Sequence, residues 1–290
     1  MSAASDTSRD RSAPVTRALP SFAARAGAQP PRGLGLAFAS LPALLFLILP
    51  LLTLLARVSP AGFLGSLAQR EVRDAIWLSA TTGVACVALT LIFGTPLAWL
   101  LGRGRFPGRR LLDAVIDLPI VLPPAVAGIA LLVTLGPRGL LGPWLAHLGL
   151  TIAFTPLAVT LAQTFVAAPF YVRAAATAFA GIDRTLEEAA AVDGAGKLMT
   201  FWRVALPLCA QGLFAGALLT WARALGEFGA TIIFAGNFPG TTRTMPLAIY
   251  IGFELDLSTA LSLSAILLAT SFAVLALVRL GLGARLPSAD

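Results

Sequence analysis

Residues 187–198, EEAAAVDGAGKL, contain a Gly-Ala-Gly-Lys run that is similar to a nucleotide-binding loop. A phosphate-binding loop follows a strand and has the pattern Gly-x-x-x-x-Gly-Lys followed by Ser or Thr. Here Ala191 stands where the first glycine is required, and Leu198 stands where the hydroxyl is required. The preceding residues, 186–192, are mostly Glu and Ala, which favour a helix. We therefore predict that this chain does not bind ATP.

Few residues of the chain could support catalysis or metal binding. It contains one histidine, His147, and two cysteines, Cys86 and Cys209, which lie far apart in the sequence. A metal site, a disulfide or a hydrolytic centre needs several such groups together. We predict no catalytic residue, no cofactor and no metal, and we interpret the chain as a protein other than an enzyme.

The charged segment 183–207 instead predicts a helix, a glycine break and a second helix. Asp183 is a candidate N-cap, and Glu187 and Glu188 fall near the end of the helix dipole that favours negative charge. Gly194 can close the first helix, because glycine readily adopts the left-handed conformation at a helix C-terminus. The second helix presents Leu198, Phe201 and Trp202 on one side. Such a helix either inserts into a groove of another protein or lies on lipid.

Segment 222–256 carries a second set of polar residues. Arg223 and Glu227 are four residues apart and could form an ion pair, either as a structural contact or as a gate. Hydroxyl groups beside an arginine could bind an oxyanion, although a solvated loop has the same composition. The candidate pathway or gate residues are Arg223, Glu227, Asn237, Thr241, Thr242 and Arg243.

Two further features concern residues 103–128. Asp113 and Asp117 lie on one helical face, and we expect them to pair with Arg109 and Arg110. The prolines of LPIVLPPAVAG, residues 118–128, predict a distorted helix, which is either a tolerated kink or the wall of a path.

The composition places these segments in a lipid environment. Hydrophobic residues make up 57% of the 290 residues and charged residues only 12%, whereas soluble domains contain about 25% charged residues. Crossing the hydrocarbon core takes about 20 apolar residues in a helix. Six uncharged runs are long enough, and they predict spans at about 34–56, 75–102, 118–137, 150–170, 204–222 and 257–278.

These spans predict an all-α membrane protein, a bundle of six transmembrane helices. Residues 1–32, rich in Ser, Ala, Pro and Arg, are predicted to be a disordered cytoplasmic tail, and residues 33–285 a single membrane domain. The first apolar run is too long for a cleavable signal peptide. The predicted cytoplasmic loop covers 173–207 and the predicted external loop covers 223–256.

The distribution of basic residues predicts the orientation. With both termini in the cytoplasm, fifteen of the 21 Lys and Arg residues fall on the cytoplasmic side. The same asymmetry accounts for the net charge of +7. We therefore expect lipid to surround the chain and expect no nucleic-acid partner.

The cytoplasmic segment resembles a known family. Glu188-Ala189-Ala190, then Gly194, then Val204-Ala205-Leu206-Pro207 resemble the EAA loop of importer-type ABC transporter permeases, with Val204 in place of the usual isoleucine. The resemblance implies that this loop contains a coupling helix that docks into a separate ATP-hydrolysing subunit. The docking residues that it implies are Glu187, Glu188, Ala189, Ala190, Gly194, Val204, Leu206 and Pro207.

The external segment resembles the oxyanion branch of that family, and more closely its molybdate permeases. The matching residues are GEFGAT (226–231), FAGN (234–237), Pro239-Gly240 and PLAIY (246–250). The resemblance implies molybdate import across the cell membrane by two copies of the chain with two ATPase subunits and an external oxyanion-binding protein. Tungstate or sulfate permeases share parts of the pattern. An ion-coupled secondary transporter is the alternative of a different class. The predicted spans lack the relay carboxylates that are typical of proton coupling, but sodium coupling needs none.

Overall fold

The computed structural model describes residues 32–283, with side chains for residues 39–280, and contains no strand in that range. The described residues form thirteen α-helices and one π-helical turn, which runs from Phe201 to Ala205. The α-helices are α1 (Arg32–Arg57), α2 (Pro60–Ala68), α3 (Arg70–Arg103), α4 (Arg109–Val121), α5 (Pro124–Leu135), α6 (Gly142–His147), α7 (Pro156–Ala180), α8 (Arg184–Val192), α9 (Lys197–Thr200), α10 (Leu206–Leu225), α11 (Gly229–Phe234), α12 (Met245–Leu255) and α13 (Leu257–Gly283).

Five helical stretches within the described residues are long and apolar enough to cross a membrane. They are Ala39–Arg57, Arg70–Arg103, Pro156–Ala180, Lys197–Leu225 and Leu257–Leu280. A sixth crossing results if α4 and α5 together count as one broken span. The prediction of an all-α protein that spans the membrane several times is thus confirmed. Residues 1–31, which hold almost all of the predicted tail, lie outside the described residues.

The helix bounds differ most from the predicted spans in two places. The range 118–137 is not one helix, since α4 and α5 meet at an angle of 112°. Leu122 is extended because a residue that precedes proline avoids the helical conformation, and Pro123 itself precedes Pro124. The span predicted at 150–170 corresponds to α7, which extends further, to Ala180. It begins later than predicted because Thr155 caps it by accepting a hydrogen bond from the Ala158 amide.

The range predicted as an external loop, 223–256, is largely helical. It contains the last turn of α10, the short helix α11 and the apolar helix α12, which is too short to cross a membrane alone. Gly236 and Gly240 adopt positive φ angles of 76° and 69° between α11 and α12. The sequence shows the turn residues here but not that the flanking stretches continue as helices.

The chain divides into two units between Leu49 and Pro50. In the first unit, the described side chains of α1 from residue 39 onward are exposed. Within the second unit, α7 packs extensively on both α3 and α10. Gly102 of α3 lies so close to α7 that an added Cβ would stand 2.7 Å from the Ala176 carbonyl oxygen. Small residues at such positions let membrane helices approach closely.

Two side-chain clusters extend this core to its two ends. At one end, Phe179 of α7 and Leu101 of α3 are fully buried beside Cys209 of α10. At the other end, α12 and α13 pack on α3 through Met245 and Leu263. The Met245 amide also donates a hydrogen bond of 2.8 Å to the Ser79 hydroxyl of α3. The charged segments of the sequence are therefore attached to a common set of long helices.

Candidate docking segment and pathway residues

Helix α8 is short, charged and defined by caps at both ends. The Asp183 carboxylate accepts a hydrogen bond of 3.0 Å from the Thr185 amide, as predicted for an N-cap. At the other end Gly194 has a φ of 85°, and the Ala195 amide donates to the Ala190 carbonyl at 2.9 Å. The predicted helix and its glycine break are therefore confirmed.

The hydrogen bonds from Thr185 hold the pKa of the Asp183 carboxyl below its ordinary value. A lowered pKa means that the ionised cap stabilises the helix at neutral pH. This contribution is lost only when the pH falls below the ordinary aspartate range and through the lowered pKa.

The surface of this segment is exposed and partly apolar. None of the residues of α8 is buried. After the break, Leu198, Met199 and Trp202 are also exposed, and Trp202 retains 60% of its accessible surface. Phe201 differs from the prediction that grouped it with these residues, because it is half-buried against the core. The segment thus combines an outward apolar surface with an inward anchor.

The inward anchor is an aromatic cluster. Trp99 of α3 packs edge-on against both Phe179 of α7 and Phe201, with ring centroids 5.1 Å apart in each case. Such pairs contribute about 0.5–1.5 kcal/mol beyond their burial. Phe201 begins the π-helical turn, so this turn is held against two of the long helices.

The motif residues Val204, Leu206 and Pro207 lie in and just after the π-helical turn. The Leu206 amide donates to the Phe201 carbonyl, five residues back, instead of to the usual fourth. Pro207 has no amide proton to donate, so the regular hydrogen-bond pattern is interrupted at this point. π-Helical turns of this kind often occur at functional sites.

Arg103, the last residue of α3, joins α8 to the long helices. Its Nη2 forms an ion pair with the Glu187 carboxylate, and its Nη1 donates to the Ile182 carbonyl at 2.8 Å. The Arg103 side chain is only 11% exposed. Glu187 therefore points towards the protein, whereas Glu188 is exposed. Together with Arg184 and Ala191, these three charged residues line a shallow cleft.

Arg173 of α7 holds α4 in place. Its Nε and Nη2 donate to the two carboxylate oxygens of Asp117 at 2.6 and 2.7 Å, and its Nη1 donates to Asp113 at 2.7 Å. Arg109 contacts Asp113 only at 3.9 Å. The predicted pairing was thus wrong for Asp117, because the arginine that α7 brings alongside α4 offers better geometry than the neighbours in sequence.

The predicted pair of Arg223 and Glu227 is confirmed at 3.0 Å. Glu227 is 1% exposed, and its other carboxylate oxygen accepts a hydrogen bond of 2.9 Å from the Ala230 amide. The pair connects the last turn of α10 with the first turn of α11. A buried carboxylate is tolerated here because a cation and a backbone amide both bind it.

The remaining candidate residues form a separate set of contacts. Arg243 donates to the Asn237 side-chain oxygen at 3.0 Å and to Glu71 of α3 at 3.0 Å. Thr242 is buried and accepts a hydrogen bond from the Phe238 amide at 3.0 Å, which closes the turn, whereas Thr241 is exposed. Arg243 therefore already has carboxylate and amide partners in this conformation.

Within residues 32–283, no three His, Cys, Asp or Glu side chains stand close enough to hold a metal ion. Cys86 and Cys209 are buried free thiols in α3 and α10.

Sequence reasoning missed three charged residues that organise these sites, namely Arg103, Arg173 and Glu71. The first two immediately follow the uncharged runs 75–102 and 139–172. Both arginines stand at the predicted cytoplasmic boundary, where Asp113, Asp117 and Glu187 are also expected. This shared position was the available indication that they could form ion pairs. Nothing in the sequence showed which acidic residue each arginine would meet.

Comparison with protein families gives a match over most of this chain. Residues 94–285 match the family described as binding-protein-dependent transport system inner membrane component. A molybdenum transport system permease protein, ModB, of Mycobacterium bovis is 42% identical over 244 residues, which cover 84% of this chain and 91% of that protein. A sulfate transport system permease protein, CysW, of Synechococcus elongatus is 38% identical over 218 residues and covers 75% and 76% of the two chains.

A solved structure has the same fold. A chain in the crystal structure of a bacterial ABC transporter involved in the import of the acidic polysaccharide alginate aligns with a TM-score of 0.60 at 18% identity. The alignment covers 87% of this chain and 95% of that chain.

Proposed function

The chain belongs to the inner membrane components of binding-protein-dependent transport systems, and we propose that it is the permease subunit of an ATP-driven importer that carries molybdate into the cell. The coarser part of this statement is established, since the chain is a multi-pass inner membrane protein and an ABC importer permease of the molybdate and sulfate type. The proposal concerns the substrate, the partners, the orientation and the residues that perform the work.

The observation that carries the proposal is the form of the segment 183–207. Helix α8 buries none of its residues within the chain, yet it is capped at both ends and fastened to α3. A short helix whose surface is left mostly uncovered by its own chain is suited to binding by another protein. We assign the docking contacts to Glu188, Ala189, Ala190 and the exposed residues around Gly194.

The partner that this segment fits is an ATP-hydrolysing subunit. The chain itself lacks the glycine and hydroxyl positions of a phosphate-binding loop, so ATP hydrolysis for transport would take place on a separate protein. Two such subunits approach each other when ATP binds, and each docked helix moves with its subunit. Because α8 is fastened to α3, this movement reaches the membrane helices.

The assembly that we propose contains two copies of this chain, with residues 173–207 in the cytoplasm and residues 223–256 towards the outside. In this arrangement an external oxyanion-binding protein releases its ligand near α11 and α12. We assign Arg223, Glu227, Asn237, Thr241, Thr242 and Arg243 to the walls of the pathway. The ion pair between Arg223 and Glu227 supports a gating role, since separating it would leave a buried carboxylate with only one hydrogen bond.

Molybdate is the substrate that the relatives favour. The chain covers 91% of the length of a molybdenum permease and shares a higher identity with it than with the sulfate permease. Molybdate, tungstate and sulfate are all tetrahedral dianions, so the same donor groups can bind each of them. Competition among the three anions therefore distinguishes the substrates.

The test is uptake of labelled molybdate into vesicles that contain the chain, its ATPase subunit and the binding protein. We expect uptake to require ATP and to be suppressed by unlabelled molybdate and tungstate, but not by an equal concentration of sulfate. Glu188→Lys should abolish uptake while the amount of chain in the membrane stays the same. This variant reverses the charge at an exposed docking position and leaves the Arg103 ion pair intact.

Three results would contradict the proposal. Suppression by an equal concentration of sulfate would contradict the assignment to molybdate. Uptake that needs an ion gradient and not ATP would identify a secondary transporter. Full activity of the Glu188→Lys variant would mean that α8 is not the docking segment.

A further inference from the structure

Apart from its packing on α9 and the π-helical turn, helix α8 is held in the protein by polar and terminal contacts. None of its nine residues, Arg184–Val192, is buried. Its two caps, at Asp183 and Gly194, fix where the helix begins and ends but do not fix its direction relative to the long helices. A further contact is required if the helix is to stand at one angle.

Arg103 supplies that contact through two separate bonds. The first is the ion pair between its guanidinium and Glu187, the fourth residue of α8. The second is the hydrogen bond to the carbonyl of Ile182, just before α8 begins. An ion pair and a hydrogen bond from one planar group to two points on the segment restrict rotation as well as distance. Ile182 is itself buried in the core cluster. The residue that precedes the N-cap of α8 is therefore held both by its side chain and by its backbone carbonyl.

The two adjacent glutamates of the segment have different surroundings. The Glu187 side chain is 25% exposed and forms an ion pair with Arg103, whereas Glu188 is exposed and has no observed ion pair among the described residues. A half-buried ion pair is screened by solvent less than a surface pair and is costly to break on one side only. Glu187 is therefore unsuited to a partner and suited to an internal link.

Arg103 also lies at the end of a helix that packs extensively on α7. One residue away, Gly102 packs directly on the backbone of α7 at Ala176. Further along α3, the Thr95 hydroxyl and the Tyr171 phenol of α7 lie 2.7 Å apart. Any displacement of α8 that reaches Arg103 is thus passed to α3 and α7 together.

We propose that Arg103 is a positioning residue that holds α8 at a fixed angle to α3 and transmits the movement of the docked helix to the membrane helices. This inference rests on the proposed docking of α8 to an ATPase subunit. It assigns Glu187 to the inside of the permease and leaves Glu188 to the partner.

The first test measures hydrogen exchange of the α8 amides in the permease alone, in detergent, without ATPase or substrate. Arg103→Gln should raise the exchange rate of Leu186–Val192 by about tenfold, because the local opening of α8 no longer requires breaking the Arg103 contacts. Glu187→Gln removes the ion pair but keeps the bond to Ile182, and it should raise the rate by a smaller factor. Arg184→Gln is the matched control, since it removes one positive charge from the same cleft without an observed ion pair, and it should leave the rate unchanged.

The second test uses the assembled transporter and compares molybdate transported with ATP hydrolysed. Arg103→Gln should still bind the ATPase subunit and hydrolyse ATP, but the amount of molybdate moved per ATP should fall by about tenfold. Arg103→Lys keeps the charge but cannot make both bonds, and its ratio should be intermediate. The double variant with Gln at positions 103 and 187 should behave as Arg103→Gln alone, because both changes interrupt one link.

Three outcomes would overturn the inference. Exchange of α8 at the wild-type rate in both Arg103→Gln and Glu187→Gln would show that another contact holds the helix. A wild-type ratio of transport to hydrolysis would show that Arg103 transmits nothing. Loss of ATPase binding in parallel with transport would indicate a general structural role. If the wild-type assembly moves no molybdate, the proposed function fails, but the exchange test still decides whether Arg103 positions α8.

Discussion

At the scale of single residues, Gly194 occupies a position that other residues cannot occupy without strain. Its φ of 85° is left-handed, and an added Cβ would meet nothing within 4 Å. The cost of a substitution therefore comes from the backbone and not from a collision. For an ordinary L-residue this conformation costs about 1–2 kcal/mol, whereas asparagine adopts it more readily. Proline is incompatible, because its ring holds φ near −65°.

Gly194→Pro is expected to abolish ATP-driven uptake, and Gly194→Asn is expected to retain most of it. Proline also removes the bond from the Gly194 amide to the Ala191 carbonyl, which is 3.1 Å long. The measurement is uptake in vesicles that contain equal amounts of each variant in the membrane. Uptake by Gly194→Pro at the level of Gly194→Asn and of the wild type would mean that the left-handed turn is not needed for docking.

At the scale of helices, α4 and α5 show how prolines and an ion cluster divide one apolar run. The bend of 112° falls between Val121 and Pro124. On one side Arg173 fastens α4 to α7, and on the other side Gly128 of α5 packs against the Ala230 backbone of α11. The two halves of the run are thus attached to different parts of the bundle, and the bend persists because each half is held separately.

Arg173→Leu should release α4, while Arg109→Leu should not. Arg173 makes several charge-assisted hydrogen bonds with two partly exposed aspartates, which together stabilise the contact by roughly 2 kcal/mol after allowing for solvent screening. Arg109 has a single longer contact of 3.9 Å. Spin labels at the exposed positions Val115 and Leu100 should give a broader distance distribution in the Arg173 variant only.

The same broadening in both variants would contradict this assignment, since it would show that the cluster acts through its total charge. An unchanged distribution in both would mean that the apolar contacts of α4 suffice. The buried thiols of Cys86 and Cys209 should not compete for the label.

At the scale of the whole molecule, the orientation in the membrane remains a prediction. The excess of Lys and Arg in the segments assigned to the cytoplasm predicts that α8 faces inward and that the turn between α11 and α12 faces outward. This orientation brings α8 to the compartment that contains ATP and the α11–α12 turn to the side where a binding protein would arrive.

Cysteine labelling in intact cells tests this orientation. A membrane-impermeant maleimide should react with Thr241→Cys added from outside and should not react with Ala191→Cys until the cells are permeabilised. Both positions are exposed, so burial does not account for a difference between them. Labelling of Ala191→Cys in intact cells would reverse the topology and remove the basis for docking to a cytoplasmic ATPase.

The sequence by itself determined the features that arise from neighbouring residues. The apolar runs predicted the membrane helices, because a helix satisfies its backbone hydrogen bonds within the segment and needs only sufficient length. Asp183 and Gly194 predicted the ends of α8, and the spacing of Arg223 and Glu227 predicted their ion pair, because each of these contacts spans only a few residues along one stretch of chain.

Only the tertiary structure decided which distant residues meet. Arg103 binds Glu187 and Arg173 binds Asp113 and Asp117, which in both cases joins two different helices, and Arg243, in the turn before α12, binds Glu71 of α3. Such contacts depend on how far each helix is rotated and shifted against its neighbour. Small residues such as Gly102 set those distances through packing, and the spacing of residues along one helix contains no information about the rotation of the next.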